Sequence, residues 1–71
     1  MDSLNSRLRL RRRVLDMSQE ELAEKARVNR ATISRIESGS SVEVRTNTLA
    51  RLAVALDVST DYLLFGEAEH A

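Results

Sequence analysis

The residues with the most evident chemistry lie in one stretch, Val28-Asn29-Arg30-Ala31-Thr32-Ile33-Ser34-Arg35-Ile36-Glu37-Ser38-Gly39. Arg30 and Arg35 carry fork-shaped sets of donors, Thr32 a hydroxyl and a methyl, and Ala31 a bare methyl. These groups can pair with guanine O6 and N7, touch a thymine methyl, or serve either base through the hydroxyl. To act together they need a rigid frame, and the neighbouring residues specify a helix. Asn29 can accept a backbone N–H at its start, and Gly39 can take the left-handed conformation that ends it. Ile33 and Ile36 lie three apart and point one way, with Val28 at the entry, so Arg30, Thr32 and Arg35 fall outside that stripe. An ordinary amphipathic surface helix would show the same pattern, and the preceding segment decides between the two.

That segment, Ser18-Gln19-Glu20-Glu21, is a strong helix start, because Ser18 and Glu21 can satisfy each other's backbone donors as a capping box. Leu22, Ala23 and Ala26 form the buried stripe of a short helix, and small Ala23 permits a close helix crossing. Arg27-Val28-Asn29 leaves room only for a tight turn. Two short helices joined in this way make a helix-turn-helix, with Arg30 to Ser38 as the helix that enters a major groove.

The remaining chain supplies the support. It has no proline and only two glycines, and its apolar residues recur at three and four, which predicts helices throughout. The first spans about Ser3 to Leu15, with Leu4, Leu8 and Leu15 turned inward, and Asp16 and Met17 in the joint. Its Arg11-Arg12-Arg13 run spreads around the helix, and Arg7, Arg9, Arg11 and Arg13 read chiefly as a solvated face. A loop follows Gly39. A fourth helix covers about Asn47 to Leu56, with Thr46 as its cap and Leu49, Leu52, Ala53 and Leu56 inside. Ser59 caps a fifth through Phe65. The expected organisation is one domain over 1-66 and a polar tail over 67-71.

With 71 residues and no cysteine, neither disulfides nor thiolate metal sites assist a small core. No apolar run is long enough to span a bilayer and no signal-peptide pattern is present, so no membrane partner and a cytoplasmic location are expected, on the nucleoid when bound. The eleven basic and eleven acidic residues cancel. The cancellation hides a polarity: residues 1–40 hold nine basic and six acidic residues, and residues 41–71 hold two and five. Only Tyr62 and Phe65 are aromatic, which provides little for stacking on single-stranded bases. No nucleophile with its base and oxyanion donors is visible, nor a set of metal ligands, and His70 stands alone in the tail. The expectation is therefore a protein that is not an enzyme and has no cofactor.

Ser18-Gln19-Glu20-Glu21-Leu22-Ala23, Ile33-Ser34-Arg35-Ile36-Glu37-Ser38-Gly39 and Leu52-Ala53-Val54-Ala55-Leu56-Asp57-Val58-Ser59 together resemble the Cro/CI-type (XRE) helix-turn-helix family of lambdoid repressors, over about Leu4 to Gly66. The resemblance implies an all-α, five-helix lambda-repressor-like DNA-binding domain with its helix-turn-helix at helices 2 and 3. It places Arg30, Ala31, Thr32 and Arg35 at base-reading positions. Ser18, Gln19, Ser38, Ser40, Ser41 and Arg45 fall at phosphate-contacting or positioning sites, with Gln19 bracing the first base-reading side chain. Arg12 and Glu37 match an ion pair that ties helix 1 to the end of helix 3. The sequence departs from the family where Arg27 and Asp57 stand in place of frequent glycines, and the loop after Gly39 is longer, lacks proline and carries serines in place of basic residues.

The function expected is a sequence-specific transcriptional regulator of double-stranded DNA, acting as a homodimer on an inverted-repeat operator. Tyr62, Leu64 and Phe65 are candidates for core or for the dimer contact, since so short a helix can bury only one stripe. The alternative in the same fold is an antitoxin-type protein whose chief partner is a toxin and whose DNA binding is autoregulatory.

Overall fold

The computed structural model describes residues 3–40 and 43–66. Five helices follow one another: α1 (Leu4–Val14), α2 (Gln19–Ala26), α3 (Arg30–Ser38), α4 (Thr46–Leu56) and α5 (Thr60–Phe65). No strand occurs among the described residues, and the described part of the segment between α3 and α4 is a loop.

The helices pack because each contributes a stripe to one core. Leu8, Leu22, Ile33, Leu52, Leu56 and Leu63 are fully buried, and Leu4, Leu15, Met17, Val28, Val44, Val58 and Tyr62 pack around them. α1 lies on α3 and α5, α2 on α3 and α4, and α4 on α5. Ala23, Ala26, Ala53 and Ala55 are buried where these helices cross, and their small side chains permit close approach.

Four helices end with the same backbone device. The N–H of Met17, Val28, Ser40 and Val58 each reaches back to the carbonyl of Arg12, Ala23, Arg35 and Ala53 at 3.0–3.1 Å. The residue before each has positive φ: Asp16 (60°), Arg27 (61°), Gly39 (82°) and Asp57 (59°). This is a Schellman ending, in which a left-handed residue closes the last turn and the next residue folds onto the core. Arg27 thus adopts the left-handed form at a cost of about 1–2 kcal/mol, and the missing glycine does not alter the turn. Gly39 is also a close approach, since a Cβ there would lie 3.3 Å from Asn5 Nδ2.

The caps agree with the sequence at three starts and differ at one. Ser18 and Glu21 form the capping box, Asn29 Oδ1 accepts from the Ala31 N–H, and Ser59 Oγ accepts from the Tyr62 N–H. α4 begins a residue earlier than expected: Thr46 is inside the helix, and Arg45 is the N-cap without a side-chain hydrogen bond. α1 is likewise shorter than the range from Ser3 to Leu15, because Ser3 is its N-cap and Leu15 follows its last turn.

Arginines on inner faces complete the frame. Arg7 is buried, and its Nε and Nη2 donate to the carbonyls of Leu63 and Leu64 at 2.9 and 2.7 Å. Arg11 Nε donates to Leu56 O at 2.9 Å. These carbonyls belong to the last turns of α5 and α4, where backbone acceptors lack helical partners and positive charge is favoured. The solvated face expected for this set is therefore corrected for Arg7 and Arg11, while Arg9 and Arg13 are exposed.

Candidate nucleic-acid interface

The buried side of α3 fixes what its other side presents. Ile33 and Ile36 are 0% and 3% exposed, and they turn Arg30, Ala31 and Arg35 to solvent, with Thr32 half-buried. The Asn29 cap and the Arg27 turn set where this outer face begins.

A hydrogen-bonded chain supports its first arginine. Arg12 grips Glu37 with Nε to Oε2 at 2.7 Å and Nη2 to Oε1 at 2.9 Å, and its Nη1 donates to Met17 O at 2.8 Å. Gln19 Nε2 donates to Glu37 Oε1 at 3.0 Å, and Gln19 Oε1 accepts from Arg30 Nη1 at 3.4 Å. The chain joins α1, the end of α3, the start of α2 and the start of α3. Burial pushes the Glu37 carboxyl up, but the hydrogen bonds from Arg12 and Gln19 and the charges of Arg12 and Arg9 outweigh it and hold the group below the usual carboxylate range. The hydrogen bond to Glu37 raises Arg12, against desolvation. Glu37 is therefore an ionised acceptor, and Gln19 is oriented with its carbonyl toward Arg30.

Arg35 lies further along, in a cleft it shares with Thr32, Glu43, Val44, Arg45 and Thr48. The structure thus brings together Thr32, Arg35 and Arg45, as well as Glu43 and Thr48, which the sequence did not single out. Glu43 lies in a loop, which gives no period from which to place it, and Thr48 lies in the first turn of α4, whose spacing fixes a face but not the neighbour across the cleft. Ser38 and Ser40 form a hydroxyl pair at 2.9 Å beside the end of α3, with Ser38 Oγ donating to Arg35 O at 3.1 Å. Ser18 is engaged as the cap of α2, its Oγ accepting from the Glu21 N–H at 3.0 Å. Ser41 lies outside the described residues.

The candidate dimer residues divide. Tyr62 is half-buried against the core, whereas Leu64 and Phe65 are 42% and 70% exposed. Among the described residues no cluster of His, Cys, Asp or Glu has the geometry to hold a metal ion, and no helix is long and apolar enough to cross a membrane.

Known proteins share this architecture. A structure of the P22 c2 repressor in complex with the synthetic operator 9T is 33% identical, with 94% of this chain and 100% of that chain covered and a TM-score of 0.87. SinR, described as the master regulator for biofilm formation and solved in complex with DNA, is 32% identical over 84% of this chain and 95% of that chain, with a TM-score of 0.82. The N-terminal DNA-binding domain of SinR from Bacillus subtilis is 29% identical, covering 96% of each chain, with a TM-score of 0.83. The helix-turn-helix family model HTH_3 matches residues 8–63, so the chain belongs to the helix-turn-helix family, of the Cro/CI type.

Proposed function

We propose that this chain is a transcriptional regulator that binds double-stranded DNA with α3 in the major groove. One observation carries the reading: the outer face of α3 exposes Arg30, Ala31 and Arg35, and Arg30 is held by Gln19 from the start of the adjoining helix. A preset guanidinium can address guanine bidentately, and Ala31 and Thr32 offer methyl and hydroxyl contacts. Gln19, Ser38, Ser40 and Arg45 flank that face and serve the phosphates, which fix register without reading sequence. The two relatives solved on DNA support the assignment.

The chain acts as a homodimer in this reading, through the exposed Leu64 and Phe65 at the end of α5. Two copies double the contacts of a small chain with no formal net charge and address half-sites about 34 Å apart. Selection of bound duplexes from a random pool tests this directly. The expected product is an inverted repeat with half-sites one helical turn apart, and a pool without enrichment contradicts the proposal.

A further inference from the structure

A shallow groove between α2 and α4 serves neither the core nor the outer face of α3. Val54 stands on its α4 wall and is 81% exposed, the highest value among the large apolar side chains described. Ala26 and Ala50 keep the groove low, and Lys25, Arg27 and Arg51 stand around it. Arg51 is anchored there, donating from Nη1 to Arg27 O at 3.3 Å, which occupies one of its five donors. No acidic residue lines the groove, although α2 carries Glu20, Glu21 and Glu24 elsewhere on its surface.

We infer that this groove docks an acidic amphipathic helix of another protein. Small side chains let a helix approach closely, and an apolar stripe on that helix covers Val54. Carboxylates beside the stripe then meet Lys25, Arg27 and Arg51, which form no ion pair within the described structure. The C-terminal end of α2 favours positive charge, with Lys25 in its last turn, Arg27 at its C-cap and Arg51 donating to the Arg27 carbonyl, but it does not account for the exposed valine beside them. A phosphate backbone would engage the same cations and offer Val54 little apolar surface. The proposal does not depend on whether α3 reads DNA.

The test uses the full chain, isotope-labelled, and a synthetic helical peptide with leucines at three- and four-residue spacing flanked by glutamates. Amide shifts are expected to move at Lys25, Arg27, Ala50, Arg51 and Val54, and binding should weaken with added salt. Val54→Glu, a surface change that leaves the core intact, should weaken binding about tenfold or more, as should Arg51→Glu. A twin peptide with lysine replacing every glutamate should not bind. No shift at these residues, or shifts confined to α5 or the outer face of α3, would overturn the proposal. So would equal perturbation by a random-sequence DNA duplex, which would assign the groove to phosphates.

Discussion

Arg12 on α1 and Glu37 on α3 meet through two parallel hydrogen bonds, with side chains only 11% and 5% exposed. The pair is the link between the first helix and the chain that reaches Arg30 through Gln19. Removing one partner leaves the other charge partly buried without its complement. Arg12→Ala should therefore cost about 3–5 kcal/mol in urea unfolding. The double replacement Arg12→Met with Glu37→Leu should cost less, because no charge is stranded. Equal losses in the single and double variants would contradict this account of the pair.

The same carboxylate gives stability a pH dependence with a definite sign. In the folded chain Glu37 ionises below its ordinary value of 4.5. The unfolded chain then binds its proton more readily, so the contribution is fully present above that ordinary value and is lost as pH falls through the lower folded one. Thermal melting followed downward from neutral pH should show wild type losing stability in the acid range. Glu37→Gln should be less stable at neutral pH and should show a shallower loss below it. A parallel acid slope in both proteins would remove Glu37 as its source.

The two kinds of left-handed helix ending predict opposite responses. Arg27, at φ 61°, carries the steric cost of a side chain in that region, so Arg27→Gly should stabilise by about 0.5–1 kcal/mol after the entropy lost by glycine. Gly39→Ala should destabilise by about 1–2 kcal/mol or more, because φ is +82° and the new Cβ would press on Asn5. Calorimetry of both variants checks the signs.

The exposed end of α5 bears on assembly. Phe65→Ser should shift a sedimentation equilibrium toward monomer without lowering the thermal midpoint of the monomeric domain, since Phe65 is 70% exposed. Tyr62→Ser should destabilise the fold itself, because that ring packs on the core. An unchanged sedimentation profile for Phe65→Ser would take this face out of the interface.

Much of the architecture was legible because it is local. Ser18 with Glu21, Asn29 and Ser59 announce helix starts through hydrogen bonds spanning two or three residues, and the stripes of α2, α3 and α4 follow from helical spacing alone. Arg7 and Arg11 were harder, since their type suggests a surface while their spacing from Leu4 and Leu8 places them inward. That spacing was the available signal. Their partners are carbonyls 56 and 45 residues away, which no local pattern supplies. Glu43 and Thr48 beside Arg35 were invisible for a related reason: Glu43 lies in a loop without a period, and the spacing of α4 gives Thr48 a face but not the neighbour that tertiary packing sets. The link between Arg12 and Glu37 came from family resemblance, because nothing in either residue's surroundings names the other.

The most direct measurement is binding of wild type and Arg30→Ala to the selected duplex and to every single base-pair variant of it. Arg30→Ala should lose about 1–3 kcal/mol on the selected site and discriminate less at one base pair of each half-site, leaving the other positions as they were. Equal loss on every sequence would show that Arg30 serves only the phosphates, and would contradict base reading by the first turn of α3.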